Sequence, residues 1–189
     1  MNVSFGAFRI VNSYGAFGSI TKVRHEVILQ GTNESSLHSG TVWKDFEFTC
    51  KPGDINRRPC WISPYHIRID WLMWFAAFQS YQHCPWLVHL ADKLLSGDDT
   101  ITAQLLAPQG NPFAISTSGD RDGRPTFVRA ELYEYQYPSL NLKQREEDMR
   151  NGWEVGKWWK RRHVTSYMPA VEANNDSVQK FLKSHRMIS

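Results

Sequence analysis

A β-strand is predicted late in the chain, in the aromatic and β-branched stretch Phe127-Val128-Arg129-Ala130-Glu131-Leu132-Tyr133-Glu134-Tyr135-Gln136-Tyr137. The residues just before it, 117–124, are polar and rich in turn formers, which predicts a mobile loop. Upstream of that loop the pattern is helical, and further upstream it is again that of strands. The order strands, helices, strand favours an α+β domain, with an antiparallel or sandwich-like sheet and a segregated layer of short helices.

Three short helices are predicted in the middle of the chain. Ile67–Phe78 changes from alternation to an all-round apolar run, and Asp70 can cap a short helix that is buried on every side. Pro85 opens a second helix with one apolar stripe, and Gly97 ends it. Asp98 can cap a third helix, which the prolines and glycine that follow bring to an end.

The first part of the chain predicts three strands. Phe5–Val11 and Arg24–Gln30 are β-branched and aromatic-rich, and turn-like residues lie between them. Val42–Thr49 alternates in the manner of a half-buried strand. Its predicted apolar face consists of Val42, Phe46 and Phe48. The polar stretch Gly31–Gly40 between the last two strands is expected to be an exposed loop, suited to carrying a glycan.

The end of the chain predicts a change of character. From Ser139 the sequence is charged and irregular, and large apolar residues return only in Trp153–Val171. We therefore expect a core domain over residues 1–137. Residues 138–189 are expected to wrap around that core and to fray after Glu172.

Composition excludes several classes of protein. A chain of 189 residues that is 41% hydrophobic can bury one sizeable core, and 22 basic against 19 acidic residues are too balanced to indicate nucleic acid. The content of 8 Trp, 7 Tyr and 10 Phe favours dense packing and protein interfaces. The longest apolar run, Trp71–Phe78, is far shorter than the roughly 20 residues of a membrane span. The first residues lack the pattern of a signal peptide.

The three cysteines, Cys50, Cys60 and Cys84, contain no CxxC pair, so zinc binding is not expected. Cys50 and Cys60 bracket a turn-rich loop. In an oxidising compartment they can form a disulfide worth about 2–3 kcal/mol, and free buried thiols are an equal alternative.

Three sequons, at Asn2, Asn33 and Asn175, are potential N-glycosylation sites in a secretory lumen.

Catalytic motifs are missing from the sequence. It contains no G-x-S-x-G elbow, no phosphate-binding glycine loop and no H-E-x-x-H, so we predict no catalytic residue, no cofactor and no metal ligand. His66 and Asp70 are four residues apart and could form an acid–base pair. A structural role for both is favoured, because no nucleophile lies nearby in the sequence.

Two short stretches are candidate contact surfaces. Arg57 and Arg58 lie on a rigid turn and can fork onto carboxylates of this domain, Asp70 or Glu131 for example, or onto those of another protein. Pairing within the domain is slightly favoured. Trp158–His163 combines aromatic and basic residues, as in single-strand nucleic-acid or membrane-surface binding, but packing of the indoles beneath the basic side chains is favoured.

Several blocks of the sequence together resemble a known family, and they occur in the family's order. The blocks are Asn12–Gly18, Glu26–Thr32, Phe46–Phe48, Cys50–Asp54, Arg57–Pro59, Ile62–His66, Asp70–Phe78, Pro85–Trp86, Lys93–Leu95, Asn111–Phe113 and Lys157–Trp159. The family is that of the lipase maturation factors.

The resemblance implies a role and a compartment. Family members are multi-pass proteins of the endoplasmic reticulum membrane whose large C-terminal domain faces the lumen. They assist secreted lipases, such as lipoprotein lipase, hepatic lipase and endothelial lipase, and other chaperones of the reticulum are possible partners. The resemblance implies no nucleic acid, and contact with the membrane only through an upstream part that this chain lacks.

The family has no accepted catalytic residues, so none is carried over. The candidate contacts with a client lipase are Arg57, Arg58, Trp158 and Trp159. The alternatives are a carbohydrate- or ligand-binding β-sandwich module without chaperone activity, and an esterase or thiol oxidoreductase. The missing elbow and the missing CxxC argue against both enzymes.

Overall fold

The computed structural model describes residues 23–61, 68–108, 110–113 and 124–188. Within these ranges the strands are β1 (Arg24–Thr32), β2 (Lys44–Asp45), β3 (Phe127–Gln136), β4 (Glu154–Val155) and β5 (Lys160–Glu172). The helices are α1 (Arg68–Ala76), α2 (Pro85–Ser96), α3 (Asp99–Leu105), α4 (Leu142–Arg150) and α5 (Asp176–Ser184), with a 3₁₀ turn at Tyr81–His83. The fold is α+β, as the sequence predicted.

The described strands form one antiparallel sheet in the order β2-β1-β3-β5-β4. β3 is its central strand. Its whole length pairs with β1, from Thr32 opposite Phe127 to Arg24 opposite Tyr135. On its other side it pairs with β5, from Glu172 to Lys160, with bulges that bend β5. The two faces of β3 therefore define two separate layers of packing.

The main hydrophobic core lies between one face of the sheet and the helices. Strand residues of this core are Val27, Leu29, Val128, Ala130 and Met168, and helix residues include Met73, Leu87, Leu94 and Leu182. A smaller core lies on the opposite face, and it contains Ile28, Tyr133, Tyr135 and Trp159. The core residues of α1, α2, α3 and α5 thus pack on one side of the sheet, in an α+β arrangement.

The ends of α2 and α3 follow the predicted signals. Pro85 is the first residue of α2, and Gly97 ends the helix in the left-handed conformation with φ 67°. The Asp98 carboxylate caps α3, because it accepts hydrogen bonds from the backbone N–H groups of Thr100 and Ile101.

The prediction for α1 was wrong in two respects. Asp70 lies inside the first turn instead of capping it, and its Oδ1 accepts from the backbone N–H groups of Cys50 (2.9 Å) and Lys51 (2.5 Å). Nor is α1 buried on every side, because its aromatic residues Trp71, Trp74 and Phe75 are only half-buried. These three rings contact one another at centroid distances of 5.1–5.3 Å.

The predicted strand Val42–Thr49 is mostly irregular. Only Lys44 and Asp45 pair with β1, after which the backbone N–H of Glu47 bonds to the carbonyl of Gly110. Phe46 and Phe48 are buried as predicted, but Val42 is 67% exposed. Pairing with β1 begins only at Lys44, so Val42 precedes the strand and the predicted alternation does not extend to it. The predicted strand Phe5–Val11 and residues 117–123 of the predicted loop lie outside the described residues.

The expectation for residues 138–189 was wrong, because this segment completes the sheet instead of wrapping around a finished core. β5 pairs with β3 along its length. Backbone hydrogen bonds therefore join the predicted core domain, residues 1–137, to the segment 138–189 within one sheet. The chain does not fray after Glu172 either. The Asn175 side chain caps α5, which buries Val178 and Leu182 in the main core.

Truncation of Leu182 tests this packing. Leu182 is fully buried, so Leu182→Ala should lower the free energy of unfolding by about 2–4 kcal/mol in chemical denaturation. Leu142→Ala is the matched control, since Leu142 is also helical but 74% exposed, and its change should stay below about 0.5 kcal/mol. Equal effects of the two substitutions would contradict the docking of α5.

Candidate functional site

The candidate site is built on the disulfide loop, residues 50–60. A disulfide joins Cys50 and Cys60, whose Cα atoms are 5.4 Å apart. The loop lies over the smaller core, because Ile55 packs against that cluster. The disulfide closes the loop at its base, and several buried groups hold it from below.

A buried ion pair fixes the first residues of the loop. The Lys51 ammonium lies 3.5 Å from the Glu26 carboxylate and donates to the carbonyl of Pro52 at 3.0 Å. The other oxygen of Glu26 accepts from the Arg24 guanidinium at 2.6 Å. Burial lowers the pKa of Lys51, and the negative charge of Glu26 opposes that shift. Such a pair gives little net stability, but loss of one partner leaves a buried charge uncompensated.

Two side chains of the fold bond directly to the loop backbone. Asp70 accepts from the first two residues of the loop, and the Tyr135 hydroxyl donates to the carbonyl of Gly53 at 2.7 Å. Burial raises the pKa of the Tyr135 hydroxyl, so it remains protonated and able to donate at neutral pH. A Cβ on Gly53 would overlap the Glu47 carboxylate, so a larger residue here would require the Glu47 side chain to move.

Arg57 belongs to the interior of the loop. Its guanidinium donates to the carbonyls of Phe48 (2.6 Å) and Lys51, and it lies 3.3 Å from the Glu47 carboxylate. The sequence suggested Asp70 or Glu131 as its partner, and this detail was wrong. Asp70 is engaged by the loop backbone, and Glu131 bonds to His163 at 2.7 Å. Arg57 therefore holds the loop in shape.

The tryptophan segment, Gly156–Trp159, docks on the tip of the disulfide loop. The carbonyl of Ile55 accepts from the backbone N–H groups of both Trp158 and Trp159 at 3.0 Å. The Asn56 side chain accepts from the backbone of Lys157 at 3.0 Å. A Cβ on Gly156 would lie 2.5 Å from the Ile55 carbonyl oxygen, so glycine permits the close approach.

The four predicted contact residues thus come from two distant parts of the sequence and meet in one place. The Arg58 guanidinium lies 5.7 Å from the centre of the Trp158 ring, in a cation–π contact. Arg58 is exposed and Trp158 is half-buried. Trp159 is different, because it is 6% exposed and stacks on Tyr137 at 4.6 Å. Trp159 is a packing residue and not part of the accessible surface.

Sequence reasoning missed Trp61. This residue follows Cys60 directly and is 93% exposed, which is unusual for the largest side chain. Its position beside a cysteine at the base of a turn-rich loop was the available signal. We call Arg58 and Trp158, which contact each other, and Trp61, which lies beside the base of the loop, together the loop surface.

Other predicted groups do not form a reactive site. His66 lies outside the described residues. The Asp70 carboxylate accepts hydrogen bonds from the backbone of the disulfide loop, which is a structural role. Cys84 is fully buried, and its sulfur accepts from the Gln79 amide at 3.0 Å. Within the described part of the chain no group of three or more His, Cys, Asp or Glu residues could hold a metal ion. No helix there combines the length and apolar character needed to cross a membrane.

The three sequons differ in their surroundings. Asn2 lies outside the described residues. Asn33 is exposed in the turn that follows β1. The Asn175 side chain accepts from the backbone N–H groups of Ser177 (3.0 Å) and Val178 (3.3 Å) as the cap of α5.

Comparison with known proteins gives consistent matches. Residues 10–169 match the family described as the lipase maturation factor C-terminal domain. The chain is 50% identical over 174 residues to lipase maturation factor 1 of Homo sapiens, covering 90% of this chain and 27% of that protein. It is 30% identical over 180 residues to lipase maturation factor 2 of Gallus gallus, covering 94% of this chain and 22% of that protein. The chain therefore spans about a quarter of the length of the curated relatives it matches. No solved structure matches.

Tyr135→Phe tests how the loop is held. Removal of the hydroxyl leaves the Gly53 carbonyl without its donor, so the free energy of unfolding should fall by about 1–2 kcal/mol. Amide hydrogen exchange in residues 53–58 should accelerate. Tyr137→Phe is the control, because this tyrosine is 67% exposed, and neither quantity should change. Unaltered exchange in Tyr135→Phe would show that the loop does not depend on this bond.

Proposed function

The chain belongs to the lipase maturation factor family, and we propose that it binds nascent secreted lipases in the lumen of the endoplasmic reticulum and assists their folding, assembly and secretion. The proposed clients are dimeric lipases of the lipoprotein lipase type, with other reticulum chaperones as further partners. In the complete protein the membrane is contacted through parts outside this chain. The proposed mode of action is contact without turnover.

The loop surface is the observation that carries this proposal. Tryptophan and arginine are the residues most enriched among those that dominate binding energy, and here they project from a rigid support. The support is rigid because the disulfide, the Lys51–Glu26 pair and Tyr135 all restrain the same loop. A preorganised surface loses little entropy when a partner binds. Immature lipase exposes apolar surface, which suits exposed indole rings.

The composition of the loop surface also supports binding over catalysis. Its accessible side chains are a guanidinium and two indoles, and none of these is a nucleophile or a general base at neutral pH. The names of the relatives describe maturation factors, which agrees with a helper of folding. Client contact is therefore the chemistry that the surface supports best.

The same loop supports the proposed compartment. A disulfide in a domain of this size is typical of an oxidising compartment such as the reticulum lumen. The exposed sequon at Asn33 supports the same location. Both features support the proposal that the domain lies on the lumenal side.

Substitution of the loop surface tests client binding. Trp61→Ala, Arg58→Ala and Trp158→Ala should each weaken binding of immobilised domain to partly unfolded, monomeric lipoprotein lipase by roughly 5- to 30-fold, about 1–2 kcal/mol. Biolayer interferometry measures the affinity, and thermal melts check that each variant is folded. The Trp61 variant is the most informative, because this side chain is 93% exposed and its loss should leave stability unchanged.

Lys180→Ala serves as the control, since Lys180 is exposed on α5. It should bind lipase as the unaltered domain does. If the variant with all three loop-surface substitutions remains folded and binds with unaltered affinity, the proposed contact is wrong. Turnover of a small molecule without lipase binding would contradict the function itself.

A further inference from the structure

Asn33 opens onto a hollow in the surface between the β1–β2 connection and the main core. The hollow has a volume of about 380 Å³ and is lined by Thr32, Asn33, Glu34, Val42, Lys44 and Phe113. Two residues of the sequon itself therefore form part of its wall. The hollow lies within the size range of small-ligand sites and can hold a sugar ring.

Hydrogen bonds from the middle residue of the sequon shape this hollow. The Glu34 carboxylate accepts from the backbone N–H of Val42 and from the Thr41 hydroxyl, both at 2.8 Å, and it lies 2.9 Å from the His38 ring. The bond from the Val42 backbone, followed by that from Thr41, lowers the pKa of Glu34, so the carboxylate is charged at neutral pH. The connection is thereby folded back on itself, while Asn33 stays exposed.

The hollow has apolar walls. Val42 is 67% exposed, although it sits in a structured connection where the sequence pattern predicted burial. The Phe113 ring is fixed against Gly31, where a Cβ would approach it to 2.6 Å. The Lys44 ammonium lies 5.7 Å from the centre of that ring. One face of a pyranose ring carries only C–H groups, and it packs well on such apolar side chains.

We propose that Asn33 carries an N-linked glycan whose first N-acetylglucosamine occupies this hollow, with its apolar face against Val42 and Phe113. The donor is a dolichol-linked oligosaccharide, used by the oligosaccharyltransferase of the reticulum. A bond forms between the Asn33 amide nitrogen and C1 of the sugar, and the bond from C1 to the lipid pyrophosphate breaks. The pyrophosphate leaves with the electron pair, and the amide nitrogen loses one proton. Asn175 differs in its surroundings, because its Oδ1 accepts from the backbone N–H groups of Ser177 and Val178 and the hollow is not lined by this residue.

This inference rests on the lumenal location proposed above, so its test needs an independent report of delivery. Protein from mammalian cells that express it behind a secretory signal is digested with peptide-N-glycosidase F in H₂¹⁸O, and Asn33 is examined by mass spectrometry. We expect ¹⁸O-labelled Asp at position 33. Asn33→Gln and Ser35→Ala should each increase the gel mobility by the equivalent of one glycan, whereas Ser35→Thr should leave the mobility unchanged.

The Cys50–Cys60 disulfide, scored by thiol labelling, reports delivery to the lumen in every sample. A disulfide-bonded chain with unmodified Asn33, or with a glycan only at Asn175, would overturn the glycan proposal and leave the proposed function intact. A chain that is glycosylated at Asn33 but does not bind lipase would contradict the proposed function and leave the glycan proposal intact.

A second measurement tests the position of the first sugar. In protein from cells treated with kifunensine, whose glycans remain high-mannose, endoglycosidase H leaves that first sugar on Asn33. Tm should then fall by less than about 1 °C, whereas complete removal should lower Tm by about 2–4 °C. Peptide-N-glycosidase F converts Asn33 to Asp, so Asn33→Asp is the control for the effect of the new carboxylate on Tm. Val42→Ser should abolish the difference between the two digestions. If both enzymes change Tm equally in the unaltered protein, the sugar does not occupy the hollow.

Discussion

Backbone pairing along both edges of β3 is the constraint on which the rest of the structure depends. Each buried N–H and C=O group of this strand needs a partner, and β1 and β5 supply them from opposite ends of the chain. Because side chains of a strand alternate, this pairing also creates two faces. One face is covered by helices and becomes the main core, whereas the other supports the disulfide loop.

The disulfide loop depends on that second face. Glu26 of β1 forms an ion pair with Lys51 of the loop, and Tyr135 of β3 donates a hydrogen bond to the carbonyl of Gly53. Asp70 of α1 accepts hydrogen bonds from the same loop, although the buried residues of that helix pack in the main core on the opposite face of the sheet. The loop is therefore tied to three elements of the fold. Arg58 and Trp61 project from a base whose position is set by buried polar contacts.

The sequence was informative where a local signal determined the structure. Pro85, Gly97 and Asp98 act through their own backbone or the next turn, so the ends of α2 and α3 could be predicted. The role of residues 138–189 could not, because β5 is polar on much of its surface and its pairing with β3 is a long-range contact. The bulges in β5 also interrupt the alternation that would identify a strand. Likewise, no sequence rule pairs Arg58 with Trp158 or distinguishes the half-buried indole of Trp158 from the buried indole of Trp159 beside it.

The shared carbonyl of Ile55 joins two parts of the chain that are about a hundred residues apart, since both Trp158 and Trp159 donate to it. An allele with a premature stop codon between the disulfide loop and Gly156 would still encode the whole loop, but its product would lack the segment that covers the tip of the loop and the strand that completes the sheet. Such an allele would behave as a complete loss of this domain, and no synthetic peptide copied from either segment alone could stand in for it.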